Sequence, residues 1–248
     1  MENKFNVLDE LSQVMKSKQP LTQTELKKLH DNFMIENTYH SNAIEGNTLT
    51  LRETAMILQE GITIAEKPIK DHLDLIGYKD AFEYIMELAD RNTPLTEKNI
   101  KDIHSLVLMN DAQNRGVYRR LPVTIVGALH TPPQPYLVAV QMEQLLQDYA
   151  ELKQTHHIIE AVSIFHLRFE GIHPFIDGNG RTGRLILNLE LIKSGLLPIN
   201  IKFADKREYY ACFDDYYGAN HTSDRLTKLI TKYEIEELKN RINLLNSL

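Results

Sequence analysis

The chain has 248 residues, of which 42% are hydrophobic and 25% are charged, with only 11 glycines and 9 prolines. This length suits one domain with a buried core and excludes a peptide-sized scaffold. The composition excludes long disordered tracts and fibrous repeats. The 28 Lys and Arg residues against 34 Asp and Glu residues give a net charge of -6. Because binding to duplex DNA draws on a large cationic surface, no nucleic acid partner is expected.

The cysteine content and the N-terminal segment indicate the compartment. A single cysteine, Cys212, cannot form an intramolecular disulfide, which fits a reducing environment. The start of the chain carries charges throughout and has no apolar signal-peptide core, and no uncharged apolar stretch of about 18 residues occurs elsewhere. We therefore expect a cytoplasmic protein with no membrane partner.

Helical periodicity dominates the chain, so the expected fold class is all-α with one short β-hairpin. The first long helix is predicted over Thr22–Glu45, and it ends at Gly46, which suits a left-handed helix end. Thr50 and Glu53 form a capping-box pattern for the next helix, which ends at Gly61. Further helices are predicted over residues 71–89, 96–109, 140–153 and 158–169, in an apolar run at 185–192, and in a C-terminal stretch that packs on the bundle.

The segment from Gly116 to Val138 breaks the helical pattern. It is rich in β-formers and prolines, with Val123 and Ile125 at period two and Gly127 at a turn. We predict a short hairpin with one irregular arm, and a surface loop that closes the bundle is the alternative. An exposed strand edge here would suit pairing with an extended peptide.

The chemically richest run is HPFIDGNGRTGR, residues 173–184, which lies between two apolar segments. Gly178, Asn179 and Gly180 allow a turn whose N–H groups point into one concavity at the N-terminus of the following helix. Such a concavity holds an anion. The loop is therefore predicted to bind phosphate groups.

Charged and titratable side chains complete this phosphate site. Arg181 and Arg184 lie three residues apart on the first helical turn, so both side chains can reach one polyanion. Asp177 is unfavourable beside phosphates unless a cation lies between them, and Mg²⁺ meets that need because it binds through carboxylates and substrate phosphates. His173, whose side chain type titrates near neutral pH, can accept a proton from an incoming hydroxyl.

The run HPFIDGNGRTGR resembles the signature loop of Fic-domain proteins, His-Pro-Phe-x-Asp-Gly-Asn-Gly-Arg-x-x-Arg, at every defined position. The preceding HLRFEGI resembles the helix that leads into this loop, GVYRRLPVTIVGALHTPP resembles the family's target-docking flap, and KFADKREYYACF resembles its adenine-side helix. The resemblance extends from about Met34 to about Tyr217. It implies a helical fold and an enzyme that uses ATP and Mg²⁺ to transfer AMP to a hydroxyl side chain of a target protein.

The resemblance also implies a role for each site residue. His173 would deprotonate the target hydroxyl, and Asp177 would hold Mg²⁺. The remaining residues would bind the nucleotide in four groups. These are the phosphate-cradling backbone of Gly178, Asn179 and Gly180, the phosphate-binding Arg181 and Arg184, the adenine-side Tyr209 and Tyr210, and the flap residues Val126, Gly127, Ala128 and Leu129.

An upstream run, SNAIEG at residues 41–46, resembles the family's inhibitory motif, Ser/Thr-x-x-x-Glu-Gly/Asn. Ser41 and Glu45 lie four residues apart on one helix face, and a carboxylate at a helix C-terminus is mildly unfavourable unless it meets a cation. The resemblance names Arg184 as that cation, so the γ-phosphate of ATP would lose its ligand. It implies an enzyme inhibited by its own N-terminal helix, in which the same glutamate can also support removal of AMP from the target.

We expect one domain over residues 1–248, with an N-terminal inhibitory region at 1–60, a core at 61–220 and a C-terminal helix at 221–248. Two other functions stay open: removal of AMP or transfer of another phosphate-containing group by the same site, and nucleotide sensing without catalysis. The expected partners are ATP and a target protein that docks on the hairpin, while self-modification and a homo-oligomer are further options. His104, within an apolar run, is predicted to be a core or interface histidine.

Overall fold

The fold, seen in a computed structural model, is described for residues 5–218 and 220–247. No helix in these two ranges is long and apolar enough to cross a lipid bilayer. The described residues form ten α-helices, which are α1 (Asn6–Lys16), α2 (Gln23–Ile44), α3 (Leu51–Ala55), α4 (Ile69–Asp90), α5 (Glu97–Val107), α6 (Val138–Thr155), α7 (Ile158–Ile172), α8 (Asn179–Lys193), α9 (Lys206–Tyr217) and α10 (Asp224–Ser247).

Local capping starts two helices where the sequence predicts them. Thr22 and Glu25 form a capping box that begins α2, and Glu45 follows the last helical residue as the C-cap. Thr50 and Glu53 form the same box at the start of α3, which continues into a π-helical turn at Met56–Glu60. The predicted helices over 22–45 and 50–61 are confirmed.

Two apolar cores flank the central helix α7, whose sequence is apolar nearly all round. One core joins α7 to α4, α5, α6 and α8 and contains Phe82 and Phe165. The other involves α1, α9 and α10 and contains Leu8 and Tyr233. Each fully buried large apolar side chain contributes about 1.5–3 kcal/mol. The C-terminal helix α10 packs against α1 and α7, as predicted, while α1 is not among the predicted helices.

The predicted β-hairpin between Gly116 and Val138 is wrong, because no β-strand forms in the part of the chain that the structure describes. Proline lacks the N–H that a strand ladder needs, and the second arm contains Pro132 and Pro133. The segment is an irregular loop with a turn closed by the Ala128 N–H on the Ile125 carbonyl, at 3.2 Å. A 3₁₀ turn at Pro135–Leu137 then leads into α6.

Candidate active site

The HPFIDGNGRTGR loop is closed by contacts within itself. His173 ends α7 in the left-handed region, with φ 49° and ψ 60°, and Gly178, with φ 77°, precedes α8. The buried Asn179 side chain accepts a hydrogen bond from the Phe175 N–H and donates one to the Phe175 carbonyl, both at 2.9 Å. Because Phe175 is fully buried, these bonds anchor the loop to the core.

His104 on α5 fastens the same loop from outside, and it is a fully buried histidine as predicted. Its ring stacks on Phe175, with centroids 3.6 Å apart. Its Nδ1 accepts a hydrogen bond from the Gly116 N–H, so the Nε2–H donates to the Asp177 carbonyl, each at 2.9 Å. Burial lowers the pKa of His104 to about 4, which keeps the ring neutral at pH 7.

A cavity of about 250 Å³ opens between α2, α7, α8, α9 and the loop before α6. Most predicted site residues line it, although the first and the last of them, Glu45 and Tyr210, are more than 160 residues apart in the sequence. The predicted residues in its wall are Glu45, Val126, Gly127, Ala128, His173, Gly180, Arg184, Tyr209 and Tyr210. The predicted residues outside its wall are Ser41, Leu129, Asp177, Gly178, Asn179 and Arg181.

Arg184 is held by the end of α2. Its Nη2 lies 2.7 Å from Glu45 Oε1 and donates to the Ser41 carbonyl at 2.9 Å, and its Nε donates to Ser41 Oγ at 2.9 Å. Burial alone would lower the pKa of Arg184, but the adjacent Glu45 carboxylate raises it above its ordinary value. The sequence-predicted pair between Glu45 and Arg184 is therefore formed in the structure.

Gly180 makes room for this pair. A Cβ atom at Gly180 would collide with Glu45 Oε1 and would lie 3.0 Å from Arg184 Nη1. A larger residue at this position would therefore displace the Glu45 carboxylate from its place beside the first turn of α8.

Arg181 points to a different partner from Arg184. Its Nη1 lies 2.9 Å from Asp74 Oδ1 on α4, and its Nη2 lies 3.6 Å from Asp177 Oδ1. The Arg181 and Asp74 side chains are both buried, at 3% and 9% exposure. In this arrangement Arg181 braces α8 against α4 instead of facing the cavity.

Asp177 has the features of a one-carboxylate Mg²⁺ ligand. Its side chain is half exposed, its Oδ1 accepts the Gly178 N–H at 2.6 Å, and its Oδ2 lies 3.8 Å from the exposed Lys70 ammonium. No group of three or more His, Cys, Asp or Glu residues in the described chain is arranged to hold a metal. Asp177 alone would supply one carboxylate to an ion such as Mg²⁺, and water and substrate phosphates would have to supply the other ligands.

His173 has an environment that suits a proton acceptor. Burial lowers its pKa below the ordinary value, so the ring is neutral at pH 7. Its Nδ1 lies 3.3 Å from the Glu170 carbonyl, which favours a proton on Nδ1 and leaves the Nε2 lone pair available.

The two adjacent tyrosines of α9 both reach the cavity but differ in burial. Tyr209 is 1% exposed, and its hydroxyl lies 2.6 Å from Nε2 of the buried His166. Tyr210 is 42% exposed, and its hydroxyl donates to the Ile44 carbonyl at 3.5 Å. Tyr209 therefore belongs to the core as well as to the cavity wall, while Tyr210 presents an open aromatic face.

Sequence reasoning missed Arg119, which ties the irregular loop to the HPFIDGNGRTGR loop. Its buried guanidinium donates to the carbonyls of His173 at 2.8 Å, Pro133 at 2.6 Å and Leu121 at 3.2 Å. Its own N–H donates to the Pro174 carbonyl at 2.9 Å. The sequence shows only an arginine pair at 119–120 and carries no signal that separates the buried member from the exposed one.

Glu170 is the second site residue that sequence reasoning missed. It lies one turn before His173 on α7, is 9% exposed and lines the cavity. The signal that could have found it is a glutamate within an otherwise apolar central helix.

These features define a helical domain with a glycine-containing loop at the start of a buried helix and a cavity beside it, and the comparisons with known proteins agree. The sequence model of the Fic/DOC family matches residues 94–191 of the chain. "Protein adenylyltransferase Fic" from Nematostella vectensis is 35% identical over 190 residues, which is 75% of this chain and 43% of that protein. The protein of the same name from Aedes aegypti is 33% identical over 84% of this chain and 42% of its own length. The chain thus spans less than half of these relatives.

Solved structures extend the similarity to nearly the whole chain. A Fic domain-containing signalling protein from Bacteroides thetaiotaomicron is 29% identical, with a TM-score of 0.88 and 98% coverage of both chains. Fic-1 from C. elegans is 29% identical with a TM-score of 0.83, covering 95% of this chain and 69% of its own. The chain belongs to the Fic/DOC family.

Proposed function

We propose that this chain transfers AMP from ATP to a hydroxyl group of a protein and that Glu45 of the same chain restrains the reaction. The observation that carries the proposal is the single cavity whose wall contains His173, the Gly180 backbone and the Glu45–Arg184 pair. Relatives named protein adenylyltransferases support the activity, since they are 33–35% identical over at least 75% of the chain.

In the proposed reaction His173 acts as the base. The target hydroxyl oxygen attacks the α-phosphorus as its proton moves to Nε2 of His173, and the bond from the α-phosphorus to the bridging oxygen of pyrophosphate breaks. The products are the AMP-modified target and pyrophosphate. The neutral, half-buried ring of His173 suits this role because a base must be unprotonated before the attack.

The start of α8 would hold the phosphate chain. Free N–H groups at a helix N-terminus favour an anion, and the Arg184 side chain lines the same space. A Mg²⁺ ion at Asp177 would neutralise charge that develops on the leaving phosphates. Positioning and charge stabilisation of this kind supply most of the catalysis in phosphoryl-type transfers.

Glu45 would act as the brake by occupying Arg184. While the ion pair at 2.7 Å persists, the guanidinium is unavailable to a γ-phosphate, and the Glu45 carboxylate adds a negative charge to a cavity that must accept a polyanion. Because the C-terminal end of α2 places this glutamate at the wall of the same cavity as His173, we propose that regulation and catalysis share one domain.

The irregular loop between α5 and α6 would contact the target protein. Its Val126 is 97% exposed and its Leu129 is 65% exposed, and Val126 also lines the cavity. Exposed apolar side chains beside a reaction centre suit a protein substrate.

Intact mass spectrometry of the Glu45→Gly protein incubated with ATP and Mg²⁺ tests the chemistry. We expect an AMP adduct on the protein itself or on a protein of an added cell lysate, and no adduct when His173→Ala is combined with Glu45→Gly. A phosphate adduct would indicate a different group transfer. The absence of any adduct would contradict the proposed activity and favour nucleotide sensing.

A further inference from the structure

Glu170 combines burial with an incomplete set of hydrogen bonds. Its Oε1 is inaccessible to solvent and has no hydrogen-bond partner, and no Lys or Arg of the described residues lies within ion-pairing distance of its carboxyl group. An ionised carboxylate in such a place costs several kcal/mol, whereas a carboxylic acid costs much less. In agreement with this geometry, burial raises the pKa of Glu170 to about 8.

The carboxyl group lies at the part of the cavity that receives phosphates. Glu170 shares the cavity wall with Gly180 and Arg184. A Cβ atom at Gly183, in the second turn of α8, would collide with Glu170 Oε1. The carboxyl group therefore packs directly on the backbone of the helix whose N-terminus would hold the nucleotide.

The groups around Glu170 explain why its charge is unfavourable. Arg184 lowers its pKa, but burial and the nearby Glu45 carboxylate outweigh that effect. Burial keeps His166 and His173 neutral, so neither offers a compensating cation. The titratable groups that face this region from the packed elements are Glu45 at the end of α2, His166 and His173 on α7, Arg184 on α8, Tyr209, Tyr210, Asp214 and Tyr217 on α9, and His130 on the loop before α6.

We propose that Glu170 binds the nucleotide as a neutral carboxylic acid and donates its proton in a hydrogen bond to a phosphate oxygen. A carboxylic acid has one O–H donor, which a phosphate accepts, whereas an ionised carboxylate has no donor and repels the phosphate. When Glu170 is ionised, nucleotide binding must take up a proton from solvent. The proposal rests on the proposed function only in assuming that the cavity binds a nucleotide.

The test is the affinity for ADP with Mg²⁺, measured by isothermal titration calorimetry between pH 6.5 and pH 9.5. The protein is the Glu45→Gly variant, in which Arg184 is free, and ADP avoids turnover. Loss of the Glu45 charge lowers the pKa of Glu170, so the decline in affinity begins at or below pH 8. Above that point Kd rises about tenfold per pH unit, and binding takes up about one proton in buffers of different ionisation enthalpy.

Glu170→Gln in the same background keeps the shape and a donor but cannot ionise. Its Kd is expected to stay constant over this pH range, with no proton uptake. Glu234→Gln is the matched control, because burial also raises the pKa of Glu234 to about 8 while its carboxyl group accepts the Leu197 N–H, away from the cavity. In the Glu234→Gln control, the affinity for ADP should still decline as the pH rises.

The failure of this inference and the failure of the proposed function give different results. The role of Glu170 is overturned if the affinity of the Glu45→Gly protein has the same pH dependence with and without Glu170→Gln. It is also overturned if the Glu45→Gly protein alone takes up no proton on binding at pH 9. A Glu45→Gly protein that binds no ADP at any pH contradicts the nucleotide site itself.

Discussion

Arg184 is the residue at which the two proposed states of the protein differ. The guanidinium is 5% exposed, so it must always have an anionic or hydrogen-bonding partner. In the structure the partners are Ser41 and Glu45. A phosphate chain can replace Glu45 as the partner only if the end of α2 gives up the ion pair.

Ser41→Ala is expected to weaken the brake without abolishing it. The variant removes the hydroxyl that accepts from Arg184 Nε, while the Glu45 ion pair and the Ser41 carbonyl bond stay. The net contribution of one such hydrogen bond is about 0.5–1.5 kcal/mol when the charged group keeps its other partners. AMP transfer should rise about three- to tenfold in an initial-rate assay, and less than in Glu45→Gly.

Ser163→Ala is the control for this substitution, because Ser163 is also buried but its hydroxyl bonds only within α7, to the Ile159 carbonyl. It should leave the transfer rate unchanged. A Ser41→Ala rate equal to wild type would show that the Ser41 hydroxyl has no part in restraint.

Among the elements, the loop between α5 and α6 depends on one side chain for its shape. It forms no strand, and the Arg119 guanidinium joins carbonyls on both of its arms to the carbonyl of His173. The position of the loop over the cavity and the position of His173 are therefore coupled through Arg119.

Arg119→Lys should lower the free energy of unfolding by about 2–4 kcal/mol, because one ammonium group cannot reach all the carbonyls that the planar guanidinium joins. AMP transfer in the Glu45→Gly background should fall as well. Arg120→Lys is the matched control, since Arg120 is exposed. Urea denaturation of both variants measures the difference, and equal stabilities would contradict the bracing role.

Prediction from sequence succeeded for elements whose signals are local. The capping boxes at Thr22 and Thr50 act within three residues, and the HPFIDGNGRTGR loop is contiguous, so both could be found in one sequence. The helix α1 was missed because its burial depends on α10, more than 200 residues away. The hairpin prediction failed because period-two patterning does not supply a partner strand.

The site follows the same rule. His173 and Glu45 belong to recognisable sequence motifs, and the structure brings both residues to one cavity. Arg119 pairs with a carbonyl 54 residues away, and Glu170 packs on Gly183 in the next helix. Such contacts depend on how α7, α8 and the loop pack together, which a single sequence does not state.

At the scale of the whole molecule, buried histidines couple stability to pH. Burial lowers the pKa of His104 to about 4 and that of His166 to about 3. An unfolded histidine titrates near 6.5, so between pH 6.5 and 4 the unfolded chain binds more protons than the folded chain. These residues therefore make the fold less stable as the pH falls through this range.

Replacing His104 should reduce this pH dependence. His104→Gln is expected to be less stable than wild type at pH 7, because it loses the bonds to Gly116 and Asp177, but its stability should change less between pH 6.5 and 4. Between pH 6.5 and 4, the free energy of unfolding should fall by roughly 2–3 kcal/mol more in wild type than in His104→Gln. Urea denaturation at both pH values measures it, with the exposed His156→Gln as control. Equal slopes in His104→Gln and wild type would contradict the role of His104.

Residues of α2, α7, α8, α9 and the loop before α6 form the cavity wall, so Glu45, the proposed brake, and His173, the proposed base, belong to one folded unit. The most direct test of this account is the initial rate of AMP incorporation from ATP labelled at the α-phosphate, compared between wild type and Glu45→Gly. Glu60→Gly is the matched control, since Glu60 is an exposed glutamate that also precedes a glycine at a helix end. We predict an increase of about 10- to 100-fold for Glu45→Gly, which corresponds to the loss of one partly buried charge-assisted contact, and no increase for Glu60→Gly. Equal incorporation by wild type and Glu45→Gly would contradict the account.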